Sequence, residues 1–210
     1  MIKNLEEQIE AKCRFCNPPE KDRIIFESSN FYVMLSLGPI VEGYSLIVSK
    51  SHLDCSGIYN KELGEEFDRI ANSLKTLMIQ EYGSCLFYEH GRAGSCLQLD
   101  DGSKHCYHAH MHCIPTDIKL NEIICKDFAP KNIDSWEGFR FDYQMKFSPY
   151  LFVDDGQKTI YYVDKPIRRQ YLRFHLANEI GSPELWDWVK FQGWDKITTA
   201  QTKLNQKIII

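Results

Sequence analysis

The sequence predicts a mixed α and β chain, and three observations carry that prediction. Short apolar runs rich in β-branched and aromatic residues alternate with turn residues near the start. A long stretch then carries apolar residues at helical spacing. A third stretch, residues 106–114, alternates strictly between two kinds of side chain.

In chain order, MIKNLEEQIEAK reads as a short amphipathic helix; it is charged and lacks the apolar core of a secretory signal. Residues 23–27 and 31–36 are β-prone runs separated by Ser28-Ser29-Asn30, a turn signal. Gly38 and Pro39 lie in a loop over 35–42, before a third strand over 44–49. Over 61–80, Leu63, Phe67, Ile70, Leu74, Leu77 and Met78 mark one face of a helix, which Tyr82-Gly83 stops. Residues 85–88 read as a buried strand, and 91–104, rich in Gly, Ser and Asp, as the longest loop. The strand over 106–114 puts His108, His110 and His112 on one face and Tyr107, Ala109, Met111 and Cys113 on the other. Pro115 ends it. Further on, 150–163 reads as a hairpin around Asp155-Gly156 and 168–180 as a helix closed by Gly181. Ser182-Pro183-Glu184 then starts another helix into Leu185, Trp186 and Trp188.

Composition narrows the classes. The 210 residues are 43% hydrophobic and 26% charged, with 12 Gly and 8 Pro, which excludes disordered and fibrous chains. One domain, or one domain with an extension, fits this length, and such a chain buries a core without disulfides or metal. The net charge of −4 argues against a nucleic-acid polymer as partner, and no apolar run is long enough to span a membrane. Eight cysteines without a signal sequence point to a reducing, cytoplasmic setting, where thiols bind metal or sit buried rather than form a disulfide scaffold.

Chemistry concentrates in two places. Four of the seven histidines lie within 105–112, and three share a strand face about 6 to 7 Å apart per step. A single such histidine is ordinarily a satisfied core residue; three in strict alternation are too costly for packing alone. Cys13-Arg14-Phe15-Cys16 is a Cys-x2-Cys knuckle that can supply two of four tetrahedral zinc ligands. A redox pair and two buried thiols are its rivals, although Asn17-Pro18-Pro19 forbids the helix that a thioredoxin-type pair requires. His52, after the third strand, and a histidine of the triad strand are candidates to complete a metal site.

These residues resemble the histidine triad (HIT) family. Tyr107-His108-Ala109-His110-Met111-His112-Cys113-Ile114 is similar to its signature, and residues 24–52, ending in Lys50-Ser51-His52, look like its N-terminal strands. A leading Cys-x2-Cys is similar to the zinc-bearing branch. The resemblance implies an α+β, HIT-like fold: an antiparallel sheet of about five strands with packed helices, here over residues 1–115, often as a homodimer. Residues 116–210 then form a C-terminal α/β extension that packs on this domain or builds the dimer interface. By the same resemblance His110 is the nucleophile that forms a covalent nucleotidyl-histidine, and His112 holds the phosphate oxygens. Cys13, Cys16, His52 and His108 hold a structural Zn2+. The implied substrate is a nucleotide conjugate, a dinucleoside polyphosphate or a nucleoside phosphoramidate, cleaved at its α-phosphate. Transfer to another acceptor, or nucleotide binding without catalysis, are the alternatives.

The chain departs from that pattern at three places. Ser36, beside Leu37, stands where the family carries an acid or amide on the ribose, and one hydroxyl cannot accept from both hydroxyls of a diol. Glu89 or His90 falls at the phosphate-contacting position and His105 at the small hydroxyl residue before the triad; a glutamate would repel phosphate, so His90 is the better candidate, as contact or proton donor. Residues 116–210 add Arg168, Arg169 and Arg173, either solvated helical residues or anion binders on a lid. A catalytic binuclear metal site is a third class, but it needs a carboxylate where His112 stands, and His175 is the only later histidine.

Overall fold

The computed structural model describes residues 13–94, 107–205 and 207–208. The helix expected at the N-terminus, most of the expected 91–104 loop, Cys96, Cys106 and the substrate-binding candidate His105 lie outside the described residues.

Among the described residues eight strands form one antiparallel sheet: β1 (Ile24–Glu27), β2 (Phe31–Leu35), β3 (Ser45–Ser49), β4 (Leu86–Gly91), β5 (His110–Ile114), β6 (Lys131–Ile133), β7 (Tyr150–Asp154) and β8 (Lys158–Tyr162). Their order is β1-β2-β3-β5-β4-β7-β8-β6. The described helices are α1 (Lys61–Tyr82), α2 (Leu120–Ile124), α3 (Trp136–Lys146), α4 (Tyr171–Glu179) and α5 (Trp194–Leu204). The fold is α+β, but the expected sheet of about five strands is too small. The hairpin expected over 150–163 forms and lays β7 along β4, pairing Phe87 with Asp154 through Gly91 with Tyr150. This covers an edge that would otherwise expose a row of unpaired N–H and C=O groups. β6, three residues long, is too short to leave a pattern in sequence.

β2, β3 and β7 are buried at every position, because helices cover both faces of the sheet. One face packs Val33, Ile47, Met111, Phe87 and Phe152 against Phe67, Ile70 and Leu74 of α1, Trp136 and Phe139 of α3, and Ile197 of α5. The other packs Leu86, Ile114, Leu151 and Val153 against Leu120 and Ile124 of α2 and Leu172 and Leu176 of α4. Each such side chain contributes about 1.5–3 kcal/mol. α1 follows its sequence closely: Asn60 caps it by accepting from Leu63 N–H, the expected apolar face is buried with Leu63 only partly so, and Gly83 ends it at φ 85. Arg140 of α3 forks onto Asp68 of α1 at 2.7 and 2.9 Å, joining the two helices.

Three expected elements are shorter than the sequence pattern. β5 begins at His110 rather than 106, because Ala109 is held outside the ladder by Leu53 O and Ser49 N–H. α4 begins at Tyr171, since Gln170 has φ 53, which leaves Arg168 and Arg169 outside it. The helix expected after Ser182 is a single 3-10 turn, Pro183–Trp186. Arg173 takes the Leu185 and Trp186 carbonyls, which an α-helix needs in order to continue. No helix of the described residues is long and apolar enough to cross a membrane.

Candidate active site and metal centre

Strand register brings the site together. β3 and β4 flank β5, so Val48 stands opposite His110, while Leu46 and Tyr88 stand on either side of His112. Met34 extends that second row onto β2. These side chains share one face of the sheet. The Cys-x2-Cys knuckle lies over that face from one side and residues 170–188 from the other. Between them is a cavity of about 140 Å³, lined by His110 and His112 with Ser36, Leu37, His90, Phe15 and Trp188 among others. Gly38 permits the close approach on the far side: at φ 66 it lies so near Trp188 that a Cβ would sit 2.5 Å from the Trp188 Cβ.

At one end of the histidine run, Cys13, Cys16, His52 and His108 converge, their ligand atoms all within 4.8 Å of one another. His108 Nδ1 lies 3.4 Å from Cys13 Sγ, 3.6 Å from Cys16 Sγ and 3.3 Å from His52 Nδ1, and Cys16 Sγ lies 3.1 Å from His52 Nδ1. His108 Nε2 donates to Ser49 O at 2.8 Å, which leaves Nδ1 as a lone pair facing the thiols. Burial pushes the His108 ring down to about 4, so it is neutral near pH 7, as a metal ligand must be. Two thiols and two imidazoles at this spacing are a donor set that can hold one tetrahedral metal ion.

At the other end, His110 Nδ1 donates to His108 O at 2.6 Å, so its Nε2 is left as the lone pair. Phe15 of the knuckle covers the ring at 4.6 Å between centroids. His112 is stacked on Tyr88 at 4.4 Å, and its Nδ1 is hydrogen-bonded to the Tyr44 hydroxyl at 2.8 Å. Tyr44 bonds on to the Tyr88 hydroxyl. Burial, then the neighbouring His110, His90 and Arg173, holds His112 well below the ordinary histidine range.

The remaining candidates separate. Ser36 and Leu37 line the cavity, with the Ser36 hydroxyl donating to Leu37 O at 3.3 Å. His90 lines it too, but its Nε2 accepts the Leu172 N–H at 3.1 Å. That bond caps α4, which has no cap from its own Gln170, and burial pushes His90 down to about 3. Glu89 is not brought into the cavity. One step along β4 turns it to the opposite face, where it is 2% exposed and accepts from Ser56 N–H, Ser56 Oγ and Tyr150 Oη. Burial raises its carboxyl above the usual range.

Of the three arginines considered, only Arg173 reaches the cavity. Arg168 stacks on Phe174 and Trp186, and Arg169 lies 3.6 Å from Asp187. Sequence reasoning missed Arg14, Arg23, Tyr44, Tyr88 and Trp188 as cavity-forming or histidine-orienting residues. Tyr44 and Tyr88 were visible as strand residues, but only the pairing of β3, β5 and β4 places them around one histidine.

No curated protein matches the sequence. Solved structures with partial similarity include yeast Ap4A phosphorylase Apa2 in complex with AMP, at 13% identity over 70% of this chain and 62% of that one, with a TM-score of 0.45. A HIT family protein of Bacillus subtilis shares 18% identity over 50% of this chain and 72% of its own, with a TM-score of 0.39. A zinc-bound histidine triad family protein of Mycobacterium smegmatis shares 20% over 50% and 76%, with a TM-score of 0.36. The family described as "Protein similar to CwfJ C-terminal" matches residues 3–129, from before the cysteine knuckle to beyond the last triad histidine and more than half of the sequence, and the chain belongs to that family.

Proposed function

We propose that this chain is a histidine-triad nucleotide enzyme that cleaves a nucleotide conjugate at its α-phosphate through a nucleotidyl-His110 intermediate. The observation that carries this reading is the His110 ring. Its Nδ1–H is fixed on His108 O, so Nε2 is the nucleophilic lone pair, beside a second histidine in a cavity lined by arginines. Nε2 attacks the α-phosphorus; the bond to His110 forms as the bond to the leaving atom breaks. That atom, oxygen in a polyphosphate or nitrogen in a phosphoramidate, departs with the electron pair and, where it is nitrogen, takes up a proton from solvent. His112, with Nδ1 satisfied by Tyr44, turns its Nε2–H to a phosphoryl oxygen as charge gathers there. Water then attacks phosphorus and gives up a proton to solvent, the P–N bond to His110 breaks, and its electron pair returns to Nε2. If a phosphate or a sugar phosphate replaces water, the same intermediate makes the chain a transferase.

The donor set of two thiols and two imidazoles suits Zn2+, which Cys13, Cys16, His52 and His108 would hold. When bound it would supply a structural clamp on the main chain at His108, whose carbonyl accepts from His110.

The test is intact-protein mass after brief incubation with diadenosine polyphosphates, adenosine phosphoramidate and nucleotide sugars, quenched without acid. A gain of one nucleoside monophosphate, absent in His110→Ala, supports the reading and identifies the nucleotide. Neither adduct nor product with any of them overturns it.

A further inference from the structure

Among the described residues three arginines line the cavity, and Asp54 is the one carboxylate on its wall. Asp54 already faces Arg92, with Nε 3.7 Å away. The arginines differ in how they are satisfied. Arg173 directs Nε to Trp186 O and one terminal nitrogen to Leu185 O and Gly38 O, so it acts as a buried brace. Arg14 reaches the surface and pairs with Glu20 at 3.0 Å. Arg23 is 5% exposed, donates to Leu35 O from one terminal nitrogen and to Glu20 from the other, and keeps a buried Nε–H that has no partner among the described residues. Native structures rarely leave a buried donor unmatched, and on a cavity wall a ligand can supply the acceptor.

Position says which part of a ligand that is. The carbonyl held by Arg23 belongs to Leu35, between the wall residues Met34 and Ser36. Met34, Leu46 and His112 lie in one row across β2, β3 and β5, so this corner is two strand spacings, roughly 10 Å, from the triad. Met34, Leu37, Leu46 and Trp188 make it apolar, suited to a base and a sugar. Among the described residues no carboxylate stands there to accept from two ribose hydroxyls; Ser36 offers one hydroxyl, with a cation beside it. Glu20 is shared between Arg14 and Arg23, and Asp22 adds a weaker negative field at Arg23, so the two guanidiniums share a single carboxylate in direct contact.

We propose that the nucleotide bound here carries a second phosphate on its ribose, at the 2′ or 3′ oxygen, and that Arg23, with Arg14, forms the subsite for it. This rests on reading the cavity as a nucleotide site. Discrimination works by charge: the second phosphate brings anionic acceptor oxygens to the unmatched Nε–H, a stronger bond than a neutral ribose hydroxyl makes with the same guanidinium. The same exchange of a carboxylate for an arginine separates sites for a 2′-phosphorylated ribose from sites for a free one elsewhere.

The experiment is calorimetric titration of the metal-loaded chain with AMP, ADP, adenosine 2′,5′-bisphosphate and adenosine 3′,5′-bisphosphate, with the guanosine series alongside. One of the two bisphosphates is expected to bind at least about tenfold more tightly than the monophosphate or diphosphate, as one charge-assisted contact provides. Which one identifies the phosphorylated oxygen. Arg23→Gln should bring that ratio close to one, and Arg14→Gln, on an exposed side chain that threatens the fold less, should reduce it part of the way. Equal affinity for mono- and bisphosphate in the unmodified chain overturns the subsite and leaves the nucleotide reading standing. A preference for ADP overturns it in favour of a polyphosphate contact. Failure to bind any of them overturns both.

Discussion

His108 and His110 lie two residues apart and are oriented by the same device, one ring nitrogen bonded to a main-chain carbonyl. Both rings also meet Phe15 and the cavity, but the nitrogens left over face different groups. His108 gives its Nε2 to Ser49 O, and the nitrogen left over, Nδ1, faces two thiols and a second imidazole. His110 gives its Nδ1 to His108 O, and the nitrogen left over is Nε2, on a ring that lines the cavity. The difference teaches that a carbonyl selects the tautomer, and the tautomer selects what each histidine can do. It also shows a one-way dependence, because the His108 backbone is the orienting group for His110.

That dependence makes the largest expected effect asymmetric. His110→Ala should lower turnover by at least about a thousandfold, roughly 4 kcal/mol of barrier, as loss of a nucleophile does. Metal content and melting temperature should stay at the level of the unmodified chain. His108→Ala should lower metal content, melting temperature and turnover together. If the two variants behave alike in metal content, the separation between the ends of this run is wrong.

The next effect is on stability. Cys16→Ser removes one thiolate from the donor set while sparing every group on the cavity side. The chain has a large core of its own, so it should stay folded and lose a few kcal/mol. For a domain of this size each kcal/mol is worth about 2–4 °C, so a drop on the order of 10 °C is expected, with metal loss measured in parallel by elemental analysis. Unchanged metal content removes Cys16 from the site.

How much of this was legible depended on what kind of signal each element leaves. The alternation through His108, His110 and His112 and the helical spacing of Phe67, Ile70 and Leu74 are properties of neighbouring residues, and both survive into the structure. So does the hairpin at Asp155-Gly156, where Gly156 adopts φ 112. The pairing of β7 with β4 is a long-range choice with no local mark, which is why the sequence shows the hairpin but not its place in the sheet. Glu89 and His90 differ by one residue and so point to opposite faces; in sequence only the charge argument favours His90, the one that lines the cavity, while strand geometry cannot say which face that is. Tyr44, Arg23 and Arg173 belong to the site through register and a loop contact, features that no spacing rule encodes.

A smaller effect comes from His90. Its folded pKa of about 3 lies below the roughly 6.5 of an unfolded histidine. Between those values the unfolded chain binds a proton that the buried ring refuses, so stability rises with pH across the window and is complete above it, by up to about 1.4 kcal/mol per pH unit. His112 adds to this in the same direction, while Glu89, with a raised folded pKa, acts in the opposite one. A difference measurement isolates His90. His90→Gln keeps an acceptor for Leu172 N–H but cannot titrate, so denaturant curves should show the variant gaining on the unmodified chain as pH falls from 6.5 to 4. Parallel curves would mean that His90 carries no such penalty.

The smallest expected effect tests the orienting device itself on a third histidine. His112 Nδ1 meets the Tyr44 hydroxyl in place of a main-chain carbonyl, and Tyr44 in turn meets Tyr88, under the guanidinium of Arg173 at 5.2 Å. With Tyr44 donating, the neutral ring keeps its proton on Nε2, where a phosphoryl oxygen can receive it. Tyr44→Phe preserves the ring beneath Arg173 and removes only the donor. Turnover should fall about tenfold, the worth of one hydrogen bond near 1.4 kcal/mol, with metal content unchanged. Nitrogen chemical shifts of His112 should report protonation at Nε2 in the unmodified chain and a mixture of tautomers in the variant. An Nδ1 proton in the unmodified chain would reverse the bond, make Tyr44 the acceptor, and leave His112 Nε2 unable to donate to phosphate.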